Sequence, residues 1–250
     1  MNYIFVNNIK LITFDVYNKL KFMDNNWEKS WKGRIAKFIF ETYNNRENDN
    51  VSDHFFNLTI DQLLWHATTI IKDDEKLINI KYVGQRYWSE NAIKYYCQLN
   101  PQEGRGLKAC VNLRHEHAVP RIMIKEKIEK CLKENTSIQQ IYEIINAYSK
   151  SVIITTKEDK NLLKENKIAF TNWKEINDDF KINFLGDKKE LEGKKFIDFM
   201  QKYRYTKQPT DNEENTIKII DLNDYISQDY KIVPYDKDFK ELMHKINKNK

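Results

Sequence analysis

Within nine residues, Leu-Arg-His-Glu-His-Ala-Val-Pro-Arg from Leu113 to Arg121, the chain places two histidines, a carboxylate and two arginines. The whole sequence of 250 residues holds only five histidines, so His115 and His117 concentrate proton-transfer capacity in one place. An imidazole accepts a proton near neutral pH and serves as a general base. Glu116 between them is an oxygen donor suited to a hard cation such as Mg²⁺ or Mn²⁺. Arg114 and Arg121 are suited to phosphate oxygens. Base, oxygen ligand and phosphate clamp are the parts that phosphodiester hydrolysis needs, with the cation stabilising the leaving oxygen. A plainer reading stands beside this one. Two strand histidines bond locally, and Glu116 faces solvent or pairs with an arginine. His-x-His also opens several zinc hydrolase sites, but His54, His66 and His244 fall at no recognisable ligand spacing.

The elements around this stretch decide what it can do. Leu107 to Leu113 reads as a strand that delivers His115–His117 at its end, and Pro120 turns the chain out of it. Ile124, Ile128 and Leu132 recur at helical spacing and predict a helix over 122–134. Ser137 and Gln140 form a capping box for a second helix carrying Ile138, Ile141, Ile145 and Tyr148. Ser151-Val152-Ile153-Ile154-Thr155 is a compact strand. Thr156 and Asp159 are spaced as an N-cap and third helical residue for a short helix running to about residue 166. The order is strand, strand, helix, with two helices inserted between the strands.

Glu116-His117-x-x-Pro120 resembles the first half of an HNH nuclease site. Val152 to Thr155 followed by Asp159-Lys160-Asn161 resembles the second strand and helix of HNH modules in RNA-guided nucleases. The resemblance covers about residues 107–166, and 44 positions separate His117 from Asn161, more than is usual. It implies a ββα-metal element with His117 as general base, Glu116 as acidic metal ligand and Asn161 as the helix ligand. Glu165, four residues further on, takes the place of the histidine that many such helices carry. The chemistry of such a site calls for Mg²⁺ or Mn²⁺ as cofactor and for Arg114, Arg121 or Lys160 to hold the flanking phosphate, with Arg121 taken as a catalytic residue beside His117. The zinc-binding cysteines of many HNH proteins are missing.

The rest of the chain supplies a body. Residues 3–16 read as one or two short strands. Trp27, Trp31, Ile35, Phe38 and Ile39 mark an apolar helix face, and Thr59 with Gln62 forms a capping box for a helix with Leu63, Leu64, Ala67, Ile70 and Ile71. Ser89 is an N-cap for a helix with Ile93, Tyr96 and Cys97. Gly104-Arg105-Gly106 is a turn, read as an ordinary loop rather than a phosphate cradle. Helices are expected near 173–180, over 188–204 and over 236–247, and a strand over 216–222. Lys202 and Arg204 interleave with tyrosines, a pattern that suits a nucleic-acid backbone and equally a cationic helix C-terminus.

Six Gly and four Pro argue against long flexible linkers or a disordered chain. A net charge of +5 permits a phosphate-bearing partner without demanding one. Three widely spaced cysteines form neither a disulfide framework nor a zinc knuckle and suit a reducing, cytoplasmic setting. No signal-like or membrane-spanning run is visible. The expectation is an α+β fold with a ββα-metal-like hairpin and helix in a mostly helical body. It is organised as a helical region 1–104, an HNH-like element 105–170 and a C-terminal α/β region 171–250. The expected function is a divalent-metal-dependent endonuclease acting on DNA, with RNA as a further substrate class. A role in bacterial restriction or phage defence is an analogy. The alternative is a non-enzymatic protein that binds a nucleic acid or a nuclease, for example a phage-encoded inhibitor of a defence system. A homodimer or a protein partner stays open.

Overall fold

The computed structural model describes residues 30–46, 48, 50–73, 76–79, 81–99, 111–160, 194, 196–198, 217–225 and 236–249. The expected strands within 3–16, the Gly-Arg-Gly turn, the helix near 173–180 and most of the one over 188–204 lie outside these residues. The fold is α+β. In chain order the labelled elements are α1 (Trp31–Asn45), α2 (Asp53–Thr69), β1 (Ile70–Asp73), β2 (Lys76–Asn79), β3 (Tyr87–Ser89), α3 (Glu90–Gln98), β4 (Leu113–His117), α4 (Arg121–Lys133), α5 (Ile138–Tyr148), β5 (Ser151–Thr155), β6 (Ile219–Asp221) and α6 (Asp236–Lys248). Helical residues 156–160 follow β5 directly. No described helix is long and apolar enough to cross a membrane.

Helix starts follow their caps. The Ser137–Gln140 capping box forms in both directions and opens α5. Ser89 caps α3, its hydroxyl accepting from Ala92 N at 3.0 Å. Two expected starts move. The second helix begins at Asp53, where Ser52 Oγ accepts from Phe55 N, and Thr59 lies inside it with its hydroxyl bonded back to Phe55 O. A hydroxyl four residues into a helix satisfies itself on the preceding turn and marks no boundary. The helix after β5 is capped by Thr155, not Thr156. Thr155 Oγ1 accepts from Glu158 N at 3.2 Å, and the Glu158 carboxylate accepts from Thr155 N at 2.7 Å.

The chain forms two compact units that interleave in sequence, Met1–Asn79 with Val119–Ser149, and Ile80–Ala118 with Lys150–Lys250. The expected regions cut at 104 and 170 follow chain order, whereas the contacts follow the long insertion between β4 and β5. In the first unit, α1 packs on α2 and α5, and α4 packs on α2 and α5. Ile35, Ile39, Ile60, Leu64, Ile128 and Ile145 are buried there. The β1–β2 hairpin continues α2. In the second unit a four-stranded sheet runs in the order β4-β5-β3-β6. β5 is antiparallel to β4 and parallel to β3, and β6 is antiparallel to β3. Its strands are too short to be stable alone, so the sheet depends on packing of both faces. Trp88, Leu113, Ile153 and Ile220 share a core with Tyr96 of α3 and Phe239 and Met243 of α6. Tyr87, Val152, Ile154 and Ile219 pack on a second core with Phe196, whose ring lies 4.3 Å from that of Tyr87.

Candidate functional site

Strand β4 carries the histidines within its ladder, not beyond its end as the strand expected over 107–113 would have placed them. The register is Leu113 with Thr155, Arg114 with Ile154, His115 with Ile153, Glu116 with Val152 and His117 with Ser151. Ala118 N then donates to Lys150 O at 2.9 Å and closes the pair, so both ends of the inserted segment are fixed. Successive side chains of a strand point to opposite faces. Leu113, His115 and His117 therefore share the face of the Trp88 core, while Arg114 and Glu116 share the other. The two imidazoles meet edge to face at 5.1 Å and 76°. His115 is 8% exposed, and His117 and Glu116 are half-buried.

On the opposite face Arg114 is 46% exposed, and its Nε stands 3.6 Å from Asp159 Oδ2. Its guanidinium also donates to the carbonyls of Leu113 and Val111. Arg114 thus links the start of β4 to the helix after β5. Burial holds the Asp159 carboxyl above the usual carboxylate range, and the Arg114 guanidinium offsets this only in part. A raised acid pKa means the folded chain holds that proton more tightly than the unfolded chain. The stability it contributes is present below the ordinary carboxylate pKa and is lost as pH rises through the folded value. Asp159→Asn should therefore be at least as stable as the parent at pH 7, with that advantage shrinking in thermal melts repeated as the pH falls towards the ordinary carboxylate pKa. An Asn variant several degrees less stable at pH 7 would show that the ion pair outweighs burial.

Arg121 belongs to the first unit, as the first residue of α4. There its Nε pairs with Asp61 Oδ1 at 3.2 Å, and its guanidinium lies 5.3 Å above the Trp65 ring. Lys160 is exposed, one residue beyond Asp159. Asn161, Glu165, Lys202 and Arg204 lie outside the described residues. Among the described residues, no group of three or more His, Cys, Asp or Glu is placed to hold a metal ion. Glu116 and His117, adjacent in sequence, project to opposite faces. Of the expected oxygen ligands only Glu116 is described, so the described side chains do not by themselves form a Mg²⁺ or Mn²⁺ ligand set.

The sequence reading missed two polar clusters in the second unit. Glu158 is buried and accepts from Ser89 Oγ at 2.7 Å and Asn91 Nδ2 at 3.0 Å, besides its bonds to Thr155. Its signal was present as Thr155-x-x-Glu158, one residue out of step with the frame chosen. Arg86 makes a two-pronged pair with the buried Asp221, both contacts at 2.8 Å. No local pattern marks that pair, because 135 residues separate its members. No protein-family model matches the chain, and neither a curated protein nor a solved structure is significantly similar to it.

Proposed function

We propose that this chain is a divalent-metal-dependent endonuclease that hydrolyses phosphodiester bonds, with DNA as the favoured substrate. The observation that carries the reading is the antiparallel β4–β5 ladder with His117 in its last pair and a capped helix leaving β5 at its other end. That is the chain order the HNH resemblance requires. Charge supports it as well. Lys and Arg balance Asp and Glu in the first unit, so the whole net charge of +5 falls on the second unit, which holds the ladder. A basic body attracts a polyanion and speeds its encounter.

In this reading His117 takes the proton of the attacking water. Arg114 and Lys160 lie towards the helix end of the ladder, away from His117, with Arg114 on the opposite face, so in this reading they hold a phosphate further along the strand than the one attacked. A bound Mg²⁺ or Mn²⁺ supplies charge stabilisation at the leaving oxygen. Glu116 is the described residue that would contribute to holding it, with Asn161 and Glu165 as the further expected ligands. A role in restriction or phage defence is the setting such an enzyme would serve.

The test is direct. Purified protein incubated with plasmid DNA and with RNA should cut DNA when Mg²⁺ or Mn²⁺ is added, and EDTA should stop it. Cutting that survives chelation would remove the metal from the reading. A protein that binds DNA at low salt yet cuts no substrate would favour the second reading, a non-enzymatic nucleic-acid- or nuclease-binding protein. One observation favours that second reading specifically: Glu116 and His117 project to opposite faces of β4, as residues with separate structural tasks do.

A further inference from the structure

We infer that Glu158 is the positioning residue of this site. Its buried carboxylate fixes where the helix after β5 leaves the sheet, and so sets the stance of Asp159 and Lys160 beside β4. The inference rests on the nuclease reading for what is positioned, but the latch itself stands on geometry alone.

Glu158 is 7% exposed. Its Oε2 accepts from Thr155 N at 2.7 Å, Thr155 Oγ1 at 2.9 Å and Ser89 Oγ at 2.7 Å, and its Oε1 accepts from Asn91 Nδ2 at 3.0 Å. The bonds to Thr155 are those of an ordinary capping box, which works equally well in solvent. Capping alone does not require burial, and burying a carboxylate is costly unless every acceptor site is filled. The two remaining bonds bring the total to four, three on Oε2 and one on Oε1. They reach Ser89 and Asn91, 69 and 67 residues away in sequence. Ser89 is the N-cap of α3, and its oxygen accepts from Ala92 N while its hydrogen goes to Glu158. One negative charge thus serves the N-terminal ends of two helical segments, where backbone N–H groups favour an anion. Glu158 ties the end of β5, the junction of β3 with α3 and the new helix into one rigid point. Asp159, the next residue, meets Arg114 of β4 across 3.6 Å. A shift at Glu158 therefore moves the cations proposed to hold phosphate.

The decisive variant is Glu158→Gln. Its amide oxygen can keep Thr155 and Ser89, and the exposed Asn91 amide can turn over so that its Oδ1 accepts from the new NH₂. What the variant removes is the carboxylate charge that strengthens all four bonds. Adding Asn91→Asp to the same chain returns a carboxylate to the cluster and rebuilds a charge-assisted bond with its polarity reversed. Hydrogen–deuterium exchange of the full-length protein reads the latch. In Glu158→Gln, residues 155–160 should exchange roughly tenfold faster while peptides of the first unit are unchanged, and the double variant should return them to the parent rate. Asn91→Ala, a milder change, should produce the same local effect at smaller size. In DNA cleavage, KM should rise about fivefold to tenfold in Glu158→Gln with a smaller change in kcat, because a phosphate contact is displaced. A mere loss of folded protein would lower kcat and leave KM alone. Unchanged exchange in residues 155–160, an increase spread evenly over the second unit, or no recovery in the double variant would overturn the inference. If the parent cuts no nucleic acid, the nuclease reading falls, while the exchange measurement still decides the latch.

Discussion

His117→Ala should lower the rate of DNA cleavage by roughly 10²–10⁴-fold, the span expected when a general base is removed from the chemical step. The protein should still fold, because His117 is only half-buried and stands at the last pair of the β4–β5 ladder. DNA binding at low salt should stay near the parent level, since the cations of the second unit are untouched. Added imidazole should recover part of the lost rate by supplying the missing base. His115→Ala should behave differently. His115 lies within the sheet beside Ile153, so its removal should lower stability more than rate. Glu116→Ala separates the two readings further, because Glu116 projects from the opposite face. In an enzyme it should raise the metal concentration needed for half-maximal cleavage. A His117→Ala protein that cuts DNA as fast as the parent would end the nuclease reading, whatever His115→Ala does.

Trp88→Ala should destabilise the second unit by about 3–5 kcal/mol, the range for emptying a buried aromatic site. Trp88 is fully buried at the centre of the sheet, edge-on to Tyr96 and against Phe239, whose ring lies at 5.3 Å. Its indole N–H also donates to Gln85 O at 2.9 Å, so the substitution removes a buried hydrogen bond as well as opening a cavity. Against a typical domain stability of about 5–15 kcal/mol, this loss is a large fraction of the whole. Urea unfolding followed by far-ultraviolet circular dichroism should show the midpoint falling sharply. Trp88→Phe keeps most of the volume and should cost less than half as much. A loss below about 1 kcal/mol for the Ala variant would mean that the sheet does not depend on this side chain, contrary to ordinary core behaviour.

Much of the local structure was legible because its causes are local. The 3.6-residue spacing of Ile124, Ile128 and Leu132 makes α4, and the Ser137–Gln140 box opens α5. The β-branched run Val152-Ile153-Ile154 makes β5, buried on both faces as its continuous apolar character requires. The order of a strand, two helices and a strand also follows from pattern alone, while the antiparallel pairing of the two strands was implied by the HNH resemblance.

The candidate site was legible only as a set of residue types. The segment Thr155-Thr156-Lys157-Glu158-Asp159 contains two capping frames one residue apart, Thr155 with Glu158 and Thr156 with Asp159. Locally the two are nearly equivalent. The tertiary structure chose the first, because Ser89 and Asn91 supply the donors that let Glu158 be buried, and that leaves Asp159 to meet Arg114. The same holds for β4. Sequence placed His115, Glu116 and His117 side by side. Strand alternation by itself sets the histidines on one face and Glu116 on the other, whereas pairing with β5 decided that the histidine face is that of the Trp88 core, because a one-residue change of register reverses every side chain. Arg121 looked like a neighbour of His117, yet it is held within the first unit by Asp61 and Trp65, which stand about sixty residues earlier in the chain. Hydrophobic period and caps act over one turn or one pleat, so the sequence determines them by itself. The direction of a charged side chain depends on donors and charges brought from far along the chain, and only the folded structure supplies those.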